Sequence, residues 1–200
     1  MNEQAISRFT DQIAFLVEMD KMKNIYRQTR VLHEDRAEND AEHAWHMAIM
    51  IYLLKEYANE EFDIAKAMIM ALIHDIVEID AGDTYAYDSQ GLETKDEREA
   101  QAAKRIFGLL PEDQGEELKG LFEEYEANET PEARFVRVMD NFQPLLLNNS
   151  NDGQDWKEHG IKKSQVMKRH IKTQLGSNEI WECCEKIIED NVRKGNLIDE

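Results

Sequence analysis

Two hundred residues carry 24 Lys and Arg against 42 Asp and Glu, a formal net charge of −18. That acidic excess excludes a broad nucleic-acid surface, because phosphate backbones require basic patches. A hydrophobic content of 42% excludes a disordered chain.

The N-terminus, MNEQAISRFTDQIAF, lacks the basic and apolar regions of a secretory signal. Its Ile6, Phe9, Ile13, Leu16 and Val17 trace one apolar stripe on a first helix. An irregular stretch follows from about Lys23 to Asn39. Asn39 is a helix N-cap with Glu42 as its reciprocal partner, opening a helix to about Tyr57. The next helix is expected from about Asp63 to Ile79, and AGDTYAYDSQGLE beyond it reads as a loop. Thr94 and Glu97 form a capping box that starts a helix toward Leu109, and Pro111 opens another. Thr130-Pro131 supplies an N-cap and first-turn proline for a helix through about Leu147. NNSNDGQD reads as a polar loop; helices near Lys162–Gln174 and Asn178–Lys194 follow, with Gly195 as the stop. Gly and Pro are scarce, at 9 and 3, and strand-like alternation is hard to find. The expected fold is an all-α, single-domain helical bundle over residues 1–200, with a core at about 21–150 and C-terminal helices at about 154–195 packed on it. No apolar run approaches the roughly 18 residues of a membrane span. The only cysteines, Cys183 and Cys184, are adjacent and cannot staple distant segments, which points to a reducing cytoplasm.

The chemistry concentrates in ALIHDIVEIDAGD. An apolar helical run delivers His74 and Asp75 side by side, and Glu78 returns to roughly the face of His74. Buried charge is costly unless paired or bound to metal, so the cluster reads as a metal site. His43 and Asp140 complete a set of two imidazoles and two carboxylates, which suits a divalent metal and leaves positions open for water and substrate. Glu78 is close enough to orient or deprotonate that water. From the residues alone His46 could replace His43 as the inward imidazole, and Asp140 could simply pair with Arg137.

The order H…HD…D, with HDxxExxxGD around the doublet, resembles the HD superfamily of metal-dependent phosphohydrolases. AEHAWHMA matches the first histidine, His74-Asp75 the doublet, and RFVRVMDN the distal aspartate. Within that superfamily the chain is similar, from about Lys21 to Gly195, to the compact group containing the 5′-deoxynucleotidases. The resemblance implies one divalent ion (Mn, Co, Mg, Ni, Fe or Zn) held by His43, His74, Asp75 and Asp140, with Glu78 activating water and Asp83 positioning the sugar or substrate. It assigns phosphate binding to the segment before His43, where Arg27 matches the group's arginine, Arg30 stands nearby and Arg36 resembles a further one. No tryptophan follows Arg27, a departure from the deoxynucleotidases. Dinuclear HD enzymes add histidines between the doublet and the last aspartate; this chain has none there, so one ion is expected.

The implied substrate is a small phosphomonoester, a nucleoside 5′-monophosphate of ribose or deoxyribose, handled by a cytoplasmic homodimer that binds neither nucleic acid nor membrane. The alternatives on the same scaffold are a phosphodiesterase or alarmone hydrolase, an oxygenase, and a non-catalytic nucleotide-binding regulator.

Overall fold

The computed structural model describes residues 3–87, 91 and 93–200. Helix α1 (Glu3–Met19) runs through a 3₁₀ turn (Asp20–Asn24) into an antiparallel hairpin, β1 (Tyr26–Arg30) and β2 (Ala37–Asn39). Next come α2 (Asp40–Leu54), α3 (Ile64–Ile73), α4 (Glu78–Ala81), α5 (Lys95–Phe107) and α6 (Glu112–Ala127). The long α7 (Pro131–Ser150), short α8 (Gln154–His159), α9 (Lys163–His170) and α10 (Asn178–Arg193) complete an all-α fold. No helix among the described residues is long and apolar enough to cross a membrane.

Local chemistry caps α2, α3 and α7 where it was expected to, but not α5. Asn39 and Glu42 form the reciprocal capping box of α2. Asp63 accepts from the Lys66 amide at the start of α3, and Thr130 caps α7 ahead of Pro131. Thr94 makes no cap; its hydroxyl instead accepts from Arg98 Nε at 3.3 Å.

Helix α7 is the central pillar, packed against α2, α3, α6 and α10. Met47, Ile51, Met70, Phe135, Met139 and Ile188 are fully buried in the core they share. Each such burial stabilises by roughly 1.5–3 kcal/mol. A second cluster, around Ile76, Ile106 and Phe107, lies under α4 and α5 and takes in Phe15 of α1.

The α1 stripe lies open to solvent: Phe9 is 53% exposed and Val17 66%, and only Phe15 of that helix is buried. Three expectations need correction. The 23–39 stretch contains the hairpin, whose polar strands carry no alternating apolar pattern to betray them. The supposed polar loop after Leu147 begins as the last turn of α7 and ends inside α8, leaving only three turn residues between them. The helix carrying the doublet stops at Ile73. Residues 74–77 tighten into i to i+3 bonds, Ile76 N to Ile73 O at 3.1 Å and Glu78 N to Asp75 O at 2.9 Å. Of the loop expected over 81–93, residues 82–87 are irregular; residues 88–90 and 92 lie outside the described residues.

Candidate metal centre

Three neighbouring elements each deliver ligating groups to one end of the bundle. His43 comes from the second turn of α2, His74 and Asp75 from the tight turn after α3, and Asp140 from the middle of α7. His43, His74 and Asp75 could hold a metal ion together. Asp140 Oδ1 stands 3.3 Å from His43 Nε2 and 3.8 Å from His74 Nε2. Arg137 Nη1 also lies 3.7 Å from Asp140 Oδ2, so that pairing coexists with the cluster.

Hydrogen bonds at the far ring nitrogens orient both imidazoles for a metal. His74 Nδ1 donates to the Ala71 carbonyl at 2.8 Å. Its Nε2 is buried with no hydrogen-bond partner among the described residues, although Asp75 Oδ2 lies 3.0 Å away. His43 Nδ1 donates to Gln143 Oε1 at 3.0 Å, and Gln143 Nε2 donates to Glu38 Oε1 at 2.6 Å. Both Nε2 lone pairs are thereby left for a ligand. A buried imidazole nitrogen without a partner, beside two carboxylates, fits a divalent cation with N and O ligands. His46 accepts from Gln143 at 3.2 Å and stays outside the cluster.

A second acidic group adjoins the first: Asp40, Asp75 and Glu78 also converge on one point. The tightened turn brings Glu78 beside Asp75, three residues back, where a continuous helix would have matched it with His74. Asp40 is fully buried and Glu78 only 4% exposed, and Asp40 Oδ2 and Glu78 Oε2 make no hydrogen bond among the described residues. Arg27 reaches into this group from β1, with Nη1 2.6 Å from Asp75 Oδ2 and 3.5 Å from Asp40 Oδ1.

The electrostatics follow from the crowding. Burial, then the charges of Asp75 and Asp40, push Glu78 up to about 11. Burial and Asp75 raise Asp40 to about 7. For His74, burial opposes protonation, but Asp75 and Asp140 prevail and carry it up to about 10. His43, with burial and Arg27 against its cationic form, falls to about 4. Burial disfavours the Asp75 anion, but His74 and Arg27 outweigh it and hold the carboxyl far below its ordinary range.

His74, Asp75, Glu78 and Asp140 form one wall of a cavity that Gln28, Thr29, Tyr85, Tyr87, Arg169 and Asn148 also line. Asp83 reaches the cavity because Gly82, at φ +75°, reverses the chain after α4. Arg98 fastens the same loop through the Ala81 carbonyl and the Thr84 hydroxyl. Arg27 lines the cavity, whereas Arg30 and Arg36 do not. Arg30 pairs with Asp155 and Glu158 of α8, and exposed Arg36 forms a two-pronged pair with Glu42. The expected phosphate role therefore finds no geometric support at Arg30 or Arg36.

Sequence reasoning missed Asp40, which reads as an ordinary first-turn acid beside the N-cap. It also missed Tyr125, whose hydroxyl donates to Asp140 Oδ2 at 3.0 Å while Arg137 stacks on its ring at 3.8 Å. Gln143, one turn after Asp140 on the same helix, carried a usable signal: a polar residue in an otherwise apolar run.

The model of the HD domain family matches residues 19–181. The chain belongs to the HD domain family. A predicted metal-dependent phosphohydrolase from Magnetospirillum magnetotacticum MS-1 is 47% identical over 96% of both chains, with a TM-score of 0.92. The human 5′-deoxynucleotidase HDDC2 is 33% identical over 67% of this chain. The Schizosaccharomyces pombe 5′-deoxynucleotidase hdd1 is 31% identical over 66% of it. The chain spans 65% of the human protein's length and 68% of the yeast one.

Proposed function

We propose that this HD-domain protein is a metal-dependent phosphohydrolase that cleaves nucleoside 5′-monophosphates to nucleoside and phosphate. The observation that carries the reading is the convergence of two oriented imidazoles with Asp75 and Asp140, of which His74, Asp75 and Asp140 line the cavity together with Glu78, whose buried Oε2 makes no hydrogen bond among the described residues. The names of the human and yeast relatives support the substrate class, and that of the Magnetospirillum protein supports the reaction.

His43, His74, Asp75 and Asp140 hold one divalent ion, drawn from Mn, Co, Mg, Ni, Fe and Zn. A cation held there lowers the pKa of water and offsets charge on a phosphoryl oxygen. Glu78 takes the proton of the attacking water. Arg27, locked to Asp75, balances the carboxylates around the reacting phosphate, and Asp83 orients the substrate from the mouth. Phosphate release from ribo- and deoxynucleoside 5′-monophosphates tests the reading, with metal-stripped protein reconstituted with each ion separately. Turnover that appears with metal and disappears with chelator is expected. Silence across the panel with metal bound would reject it.

The protein acts as a cytoplasmic homodimer in this reading. The side-by-side helices α2 and α3 leave Trp45, Ile49, Tyr52, Leu53, Ile69 and Leu72 exposed, with Trp45 at 63% and Leu53 at 62%. An apolar patch of that kind favours a protein partner over water, and two thiols, Cys183 and Cys184, suit a reducing compartment. Light scattering should give twice the 23.4 kDa chain mass, and Leu53→Glu should halve it. A wild-type mass of one chain would remove the dimer.

A further inference from the structure

The cavity is built from seven carboxylates against four cations, Arg27, Lys95, Arg137 and Arg169. A phosphate dianion entering it meets net repulsion unless a cation is available to turn toward it. Three of the four are committed. Arg27 pairs with Asp75 at 2.6 Å, and Lys95 with Glu99 at 3.3 Å. Arg137 pairs with Glu126 at 3.1 Å while stacked on Tyr125. Arg169, near the end of α9, has no carboxylate within 4.0 Å and no hydrogen bond among the described residues. It is half-buried.

We propose that Arg169 is the residue that clamps the substrate's phosphate from the wall contributed by α9. The assignment rests on the phosphohydrolase reading above and supplies the cation that the 27–36 segment, with Arg30 and Arg36 turned elsewhere, does not. A guanidinium presents paired N–H donors that match two phosphate oxygens, and its charge-assisted bonds exceed neutral ones about twofold in strength. Its surroundings keep it available. His170 beside it is buried and stays neutral down to about pH 3, under burial and then the Arg169 charge itself. Tyr85 and Tyr87 meet edge to face at 5.3 Å, and burial keeps both as neutral phenols. Uncharged neighbours do not compete with an anion for the guanidinium. Its positive charge is also felt at Asp83, which draws that carboxyl downward against the effect of burial, so Arg169 and Asp83 face the same space.

The test uses manganese-reconstituted protein and reads inorganic phosphate binding by calorimetry beside steady-state kinetics on a nucleoside 5′-monophosphate. Arg169→Ala should weaken phosphate binding and raise KM at least tenfold, change kcat less, and leave metal content and nucleoside binding unaltered. Arg169→Lys should recover part of the loss. Unchanged phosphate affinity in Arg169→Ala overturns the assignment, as does equal loss of phosphate, nucleoside and metal, which would mark a structural role. Arg169-dependent phosphate binding without turnover of any monophosphate sustains the assignment while removing the nucleotidase reading.

Discussion

Glu78→Ala is expected to lower kcat about 10²–10⁴-fold, the range of a positioned general base, with metal content unchanged. Glu78 converges with Asp75 and Asp40, outside the His43, His74 and Asp75 group that could hold an ion, so its loss leaves that group intact. Its buried Oε2 makes no hydrogen bond among the described residues, so removal breaks no such bond there. What goes is the proton acceptor. Burial, Asp75 and Asp40 hold this carboxyl at about 11 in the protein alone, while Arg27 works the other way. A cation held at Asp75 would offset the repulsion from Asp75 and Asp40 and let Glu78 ionise near neutral pH, which a raised carboxylate needs in order to act as a base. The rate should therefore rise with pH on the acid side in the wild type and lose that limb in Glu78→Gln. Phosphate release and elemental analysis on the same samples decide the matter. A rate within a few-fold of wild type removes Glu78 as the base, and parallel loss of metal makes it a ligand.

Short-range chemistry was legible in the chain, and long-range pairing was not. Asn39 with Glu42 announces α2 because both halves of the capping box lie within four residues. Thr94 with Glu97 carries the same local message, yet Arg98 is tied to the Ala81 carbonyl and the Thr84 hydroxyl and takes the Thr94 hydroxyl as well. The four groups expected around a metal do meet, because α2, α3 and α7 pack through apolar faces that periodicity reveals. Arg30 could not be separated from Arg27 by type or spacing. Their fates were decided by residues far along the chain: Arg27 meets Asp75, 48 positions away, and Arg30 meets Glu158, 128 positions away. The α1 stripe shows another limit. Periodicity identifies an apolar face but not what covers it, and Ile6, Phe9, Ile13, Leu16 and Val17 stay exposed in the single chain.

The stabilising effect of metal is expected to grow as pH rises from 6.5 to 8.5. In the folded, metal-free chain His74 keeps its proton to about pH 10 and Glu78 to about 11, whereas their ordinary values are 6.5 and 4.5. Above pH 7 the folded state thus holds two protons that the unfolded state has released, and stability falls with rising pH. Each group contributes a slope of up to about 1.4 kcal/mol per pH unit, or about 3–6 °C in Tm for a chain of this size. Glu38 and Asp40, both raised to about 7, act in the same direction below that pH. The opposing groups act elsewhere: His43 and His170, lowered to about 4 and 3, change protonation on unfolding only below about pH 6.5. Metal ligation requires neutral imidazoles and ionised carboxylates, so it expels the protons that the metal-free fold retains, and affinity rises with pH. Tighter binding to the folded state alone stabilises it further. Calorimetry of chelator-treated and reconstituted protein at pH 6.5, 7.5 and 8.5 should show the two Tm values diverging. A constant or narrowing gap would mean that His74 and Glu78 do not carry these protons, and that Arg27 alone balances the carboxylates of the empty site.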